Sequence, residues 1–99
     1  LDVRRNTEAQ AEHVEGAINI PLKDLEARIG ELPKDEKYLV HCAGGYRSMI
    51  ASSILTNHGF KNFRNITGGF KDIKEHTDVK LLAGKCPTQL RQEKLASVN

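Results

Sequence analysis

The chain has 99 residues, 15 of them Lys or Arg and 13 Asp or Glu, for a net charge of +2. That length suits one domain, and the near-balance of charge argues against a nucleic-acid or membrane surface as partner. Aromatic residues are only 5% of the chain, leaving few rings for base stacking, and no apolar run nears the roughly 20 residues of a membrane span.

In chain order, Leu1-Asp2-Val3 reads as the end of a buried strand. Arg4 to Glu15 is polar, with a short helix expected around Glu8 to Glu12. Ala17 to Ile20 reads as a short strand closed by Pro21, because proline removes a ladder donor. Leu22, Leu25, Ile29 and Leu32 recur at helical spacing up to Pro33. Tyr38-Leu39-Val40-His41 is a near-continuous apolar run, as expected of a buried central strand in a parallel sheet. A helix is expected from Tyr46 or Arg47, with Ile50/Ile54 and Ala51/Leu55 each four apart on its apolar face. Gly59 stands where a left-handed C-cap belongs, and Phe60 is placed to pack back on the last turn. Asn62 to Ile66 reads as another short strand, Gly68-Gly69 as a turn, and Phe70, Ile73 and Val79 as marks of a final helical stretch. From Gly84 the chain is polar and unpatterned, which reads as a tail or a last short helix. Strands alternating with helices predict an α/β fold with a mostly parallel central sheet.

The chemistry concentrates at Cys42-Ala43-Gly44-Gly45-Tyr46-Arg47-Ser48. This loop leaves the carboxyl end of a predicted strand, where open α/β sheets bind ligands. Gly44 and Gly45 allow a tight curl with N–H groups turned inward, and the helix start adds its positive end, so the loop forms an anion cradle around a sulfur. Such a setting lowers a thiol pKa from about 8.5 into a range of roughly 3.5–7.5 and yields a nucleophile without a general base. Cys42 is therefore the expected catalytic thiolate, set against the plain alternative of an inert buried cysteine. Arg47 is the second catalytic candidate, because its charge lies next to the nucleophile, with an exposed helix-start arginine as the alternative. Ala43, Gly44, Gly45, Tyr46 and Ser48 are expected to bind substrate. Ser48 either donates to the sulfur or caps the helix, and Tyr46 either lines the mouth or is simply solvent-exposed.

His41 precedes Cys42 on a strand, so the two side chains should face opposite sides, which disfavours a dyad or metal pair. His58 and His76 lack partners at ligand spacing, and neither a metal site nor a cofactor is expected. The second cysteine, Cys86, lies in the polar tail. A Cys42–Cys86 disulfide stays open on sequence alone. Two cysteines in such different settings favour a reducing, cytoplasmic compartment.

Leu1-Asp2-Val3-Arg4, Glu12-His13-Val14-Glu15-Gly16-Ala17-Ile18-Asn19-Ile20-Pro21, the Cys42 loop, Gly59-Phe60 and Thr67-Gly68-Gly69-Phe70 follow one another in the order of rhodanese motifs. The chain resembles rhodanese-like sulfurtransferase domains from Leu1 to about Glu75. The resemblance implies a rhodanese-like fold with helices on both sheet faces. It also implies a Cys42 persulfide, a small anionic donor (thiosulfate or a persulfide) and a cyanide or thiol acceptor. Asp2 and Arg4 would brace the site, Arg4 adding positive potential for the donor, and His13 would be structural. The domain is expected over residues 1–83 with a tail at 84–99. The resemblance further implies a strand and helix ahead of Leu1, as in the C-terminal rhodanese domain of a metallo-β-lactamase-fold fusion protein, and docking to a sulfur-metabolism partner. Six residues from Cys42 to Arg47 suit one sulfur atom, whereas the related phosphatase loops are one residue longer. A non-catalytic sulfur-relay module is the first alternative, and a thiol phosphatase or arsenate reductase the second.

Overall fold

The computed structural model describes residues 1–84. Cys86 and the expected tail beyond Gly84 lie outside them. Helix α1 (Asn6–Ala11) follows Arg4, and Glu8 reaches back from its third position to the Arg5 N–H at 3.0 Å, satisfying one of the donors a helix start leaves open. Strand β1 (His13–Val14) comes next. The predicted Leu22–Leu32 helix is a composite: a 3-10 turn (Leu22–Asp24), one α turn as α2 (Leu25–Arg28), and a second 3-10 turn (Ile29–Glu31). Strand β2 (Tyr38–Val40), helix α3 (Tyr46–Asn57), strand β3 (Phe63–Asn65), helix α4 (Gly69–His76) and strand β4 (Leu81–Leu82) complete the order.

The parallel sheet is built from short pieces. β2 pairs in parallel with β3, Val40 opposite Asn65, and Asp2 bridges in parallel to His41 on one side and Asn19 on the other. The Leu1–Val3 segment is thus an inner member, fixed by Val3 N–H to His41 O (3.0 Å) and Asp2 N–H to Ile18 O (2.8 Å). The Asn19 side chain donates to Asp2 O and Arg4 O, tying the crossing together where the sheet ladder is sparse.

Alternation along β2 sorts the two faces. Val40 joins Val3, Ile20, Leu25, Ala51, Leu55 and Phe60 in the core against α2 and α3. His41 stacks on Phe70 of α4, on the other face. This is the expected α/β arrangement, with helices on both sides of a mostly parallel sheet. Gly59 takes the left-handed conformation (φ +86°) after α3, and the Phe60 N–H bonds back to Leu55 O, as a glycine C-cap requires.

Two expectations need correction, and one strand is added. The apolar run of β2 is not buried throughout: Leu39 is 54% exposed and lines an open cavity with Ile18, Ile66 and Ile73. Val79 does not continue the last helix, which ends at His76; Thr77 is extended and caps Ile73 O. The segment after Val79 is strand β4, antiparallel to β1 with Leu81 opposite Val14. Strands of two residues carry too little periodicity to be read from sequence.

Candidate active site

The chain leaves β2 at Val40 and turns at Cys42, the carboxyl end of the parallel sheet. The Cys42 carbonyl accepts the Phe70 N–H at 2.6 Å, which anchors the start of the loop to α4. Gly45 then adopts φ +105° immediately before α3, and a Cβ there would collide with the Thr67 carbonyl. Gly69, at φ +68°, presses so closely on the loop that a Cβ would meet the Cys42 and Ala43 carbonyls. Two glycines far apart in sequence are therefore needed to close the Thr67–Gly69 turn over the cysteine loop. Gly44 has open space and no positive φ, so its contribution is limited to its N–H.

Inside this curl the Gly45 N–H points at Cys42 Sγ from 3.0 Å, and Ser48 Oγ lies 3.6 Å away. The Ser48 hydroxyl also donates to Gly45 O at 3.1 Å. Burial pushes the Cys42 thiol up, but the Ser48 hydroxyl and the N–H groups of Ser48, Gly45 and Gly44 outweigh it, and the thiol pKa is lowered. Among the described residues Cys42 has no disulfide partner, and it is 1% exposed. The acidity thus comes first from the Ser48 hydroxyl and then from N–H groups of the loop and of the first turn of α3, as the inward N–H groups and the helix start were expected to supply.

Arg47 is held by a residue that sequence reasoning did not single out. Its guanidinium forms a two-pronged pair with Glu8, Nη1 to Oε1 at 2.6 Å and Nη2 to Oε2 at 3.0 Å. These bonds hold Glu8 down at about 2, against the upward push of burial, and raise Arg47 further. The link ties α1 to the first turn of α3, across 39 residues of sequence.

Arg4 is 5% exposed and fully engaged. It pairs with the buried Asp2 at 2.8 Å, donates to Glu12 O, and lies 4.0 Å over the Phe70 ring. Asp2 and Arg4 thereby form a brace behind the loop. Tyr46 projects from the mouth, 72% exposed. His13 is buried with Nδ1 2.8 Å from Ala9 O, a structural contact. His41 is buried beneath Cys42, its Nδ1 3.5 Å from Cys42 O, and burial lowers its pKa. A cavity of about 490 Å³ lies on the Leu39 side among Leu1, Ile18, His41, Ile66 and Ile73. On α4, Asp72, Glu75 and His76 meet on one exposed face, a grouping not read from sequence. Among the described residues no helix is long and apolar enough to cross a membrane.

Comparison with known proteins agrees with this geometry. The rhodanese-like domain family profile matches residues 1–76. Thiosulfate sulfurtransferase PspE of Escherichia coli is 43% identical over 75 residues, covering 74% of this chain and 71% of that protein. The putative sulfur carrier protein YrkF of Bacillus subtilis is 35% identical over 79% of this chain, which spans only 42% of that longer protein. A solved rhodanese with anions from E. coli superposes with a TM-score of 0.72 at 38% identity, covering 84% of this chain and 94% of the other. Sheet order, cysteine loop and these likenesses agree, and the chain belongs to the rhodanese-like domain family.

Proposed function

We propose that this chain is a thiosulfate or persulfide sulfurtransferase that carries sulfane sulfur on Cys42. The observation that supports it most is the Gly45 N–H aimed at Cys42 Sγ from 3.0 Å, in a loop that lowers the thiol pKa. In the first half-reaction the Cys42 thiolate attacks the outer sulfur of thiosulfate. An S–S bond to Cys42 forms, the sulfur–sulfur bond of the donor breaks, and sulfite leaves with the electron pair. In the second, an acceptor nucleophile (cyanide or a thiolate) takes the outer sulfur and Cys42 departs as thiolate. The N–H groups of Gly44, Gly45 and Ser48 stabilise sulfur anions at both stages, as fixed dipoles aimed at developing charge do. Ala43 shapes the loop, and Tyr46 borders the entrance. Arg47, its fork closed on Glu8, and Arg4, closed on Asp2, serve the anionic donor by charge rather than by direct contact.

PspE bears a thiosulfate sulfurtransferase name, and the E. coli structure is of a rhodanese holding anions, which suits a loop of inward N–H groups. YrkF, named a putative sulfur carrier, favours a second reading: a relay domain that accepts sulfur from a fused or docked partner. A Cys42 thiol without a disulfide partner among the described residues fits a reducing, cytoplasmic compartment.

The test is intact-mass measurement after thiosulfate treatment. The expected result is a gain of one sulfur, about 32 Da by atomic mass, absent in Cys42→Ala and removed by cyanide. Loading by a protein persulfide but not by thiosulfate would select the relay reading. No gain with any sulfane donor refutes both. Efficient Cys42-dependent hydrolysis of an aryl phosphate would restore the phosphatase alternative.

A further inference from the structure

The surface around the Cys42 loop has two features larger than thiosulfate or cyanide would need. Tyr46, Met49 and Ile50 stand at i, i+3 and i+4 on α3, so they share one helix face. They are 72%, 55% and 38% exposed, a cluster of large apolar side chains that begins at the residue after Gly45. Single exposed apolar residues are ordinary, but a contiguous group bordering a reacting atom marks a contact surface. Arg47, next in sequence to Tyr46, lines a cavity of about 220 Å³ with Arg5, Lys23, Val3, Pro21 and Leu22. Among the described residues three cations and no carboxylate line it, and the Glu8 side chain pairs with the Arg47 guanidinium while accepting only the backbone N–H of Arg5.

The sulfur itself is recessed, with Cys42 1% exposed. An outer persulfide sulfur would extend only about 2 Å beyond Sγ. A thiol lying flush with a folded surface could not reach it, whereas a thiol on a projecting loop or chain end could. The apolar face would meet an aliphatic neighbour of that thiol, and the cation-lined cavity a carboxylate. Three partly exposed side chains fall well short of the roughly 800 Å² per partner of a stable complex. The encounter is therefore brief, as a carrier that must discharge and reload requires.

We propose that the acceptor is a cysteine on a projecting polypeptide segment of another protein, with an apolar residue beside it and a carboxylate within a few residues. This rests on the sulfurtransferase reading above. The acceptor thiolate attacks the outer sulfur of the Cys42 persulfide. One S–S bond forms on the acceptor, the bond to Cys42 breaks, and the electron pair leaves on the Cys42 thiolate, so no oxidant or reductant is consumed.

The test starts from protein loaded with thiosulfate and verified by intact mass; failure to load refutes the sulfurtransferase reading itself. Loaded protein is then discharged by a peptide containing Leu-Cys-Leu-Asp, by a Ser-Cys-Ser-Lys control, by glutathione and by cyanide. The acidic, apolar peptide should discharge Cys42 about tenfold faster than the control peptide or glutathione, and added salt should reduce the advantage. Met49→Ser/Ile50→Ser should slow that peptide about tenfold, as expected when two apolar side chains lose their cover, and leave cyanide discharge within twofold of wild type. Comparing variant with wild type cancels differences in peptide thiol acidity, and unchanged cyanide discharge shows that the fold survives. Equal discharge by both peptides, glutathione as fast as the acidic peptide, or equal slowing of peptide and cyanide would each overturn the proposal.

Discussion

Ser48→Ala isolates the hydroxyl that lies 3.6 Å from Cys42 Sγ. Ser48 is fully buried, so water cannot replace it. The hydroxyl donates to the Gly45 carbonyl and accepts from the Cys42 thiol; once the thiol ionises, its proton can turn to the sulfur instead. The Gly45 carbonyl also accepts the Met49 N–H at 3.3 Å, so it stays paired when the hydroxyl is removed. The principal loss therefore falls on the thiolate. A hydrogen bond to a charged group contributes about 1.5–3 kcal/mol, and the long 3.6 Å contact belongs at the lower end. About 1.4 kcal/mol corresponds to one pKa unit, so the thiol midpoint should rise by about one unit. The N–H groups of Gly44, Gly45 and Ser48 persist and should keep the midpoint below that of an unassisted buried thiol. The assay is the pH dependence of Cys42 alkylation by iodoacetamide, alongside the ultraviolet absorbance of the thiolate. Below both midpoints the variant should react about tenfold more slowly, and above both the rates should converge. An unmoved midpoint in a folded variant would refute the view that Ser48 acidifies the thiol.

Glu8→Gln should cost stability in a pH-dependent way. Arg47 lowers Glu8 from 4.5 to about 2, so the pair's contribution is complete above pH 4.5 and is lost as pH falls toward 2. Discounted for solvent screening of a partly exposed pair, the loss is about 1 kcal/mol near neutrality. In thermal melts this is about 4–8 °C, and the gap between variant and wild type should close by pH 2; a gap that persists there would assign the loss to packing. Gly69→Ala drives a Cβ into the Cys42 and Ala43 carbonyls at a positive φ. It should cost about 1–3 kcal/mol in denaturant unfolding and slow sulfur loading, whereas Gly30→Ala, in open space, should change neither. Leu55→Ala removes a fully buried side chain between α3 and the sheet, and chemical denaturation should show a loss of about 2–5 kcal/mol.

What the sequence made legible was whatever depends on short-range chemistry. The strand-to-helix placement of Cys42 follows from an apolar run ending in a glycine turn, and the Gly59 cap from a glycine just past a periodic helix. What it hid depends on distance along the chain or on elements too short to show a period. The partner of Arg47 lies 39 residues away. The need for glycine at Gly69 comes from carbonyls of a loop more than twenty residues earlier. β4 has two residues and was invisible, and the exposure of Leu39 depends on what covers the far face of the sheet, which an apolar run cannot report.

The Glu8 link bears on the proposed preference of this loop for sulfur over a phosphoryl group. A phosphate clamp works by offering a free, planar guanidinium fork to two oxygens at once. Here both prongs of Arg47 are closed on Glu8, and opening them would leave two partly buried charges to be solvated anew. A sulfane sulfur makes no such demand. It is a single soft atom that needs a few N–H dipoles at short range, and Gly44, Gly45 and Ser48 supply those from the backbone. The same pair that denies the fork to phosphate fixes the first turn of α3 against α1. Those donors are then held in place without a bound anion to organise them, as the proposed alternation of Cys42 between bare and loaded states requires.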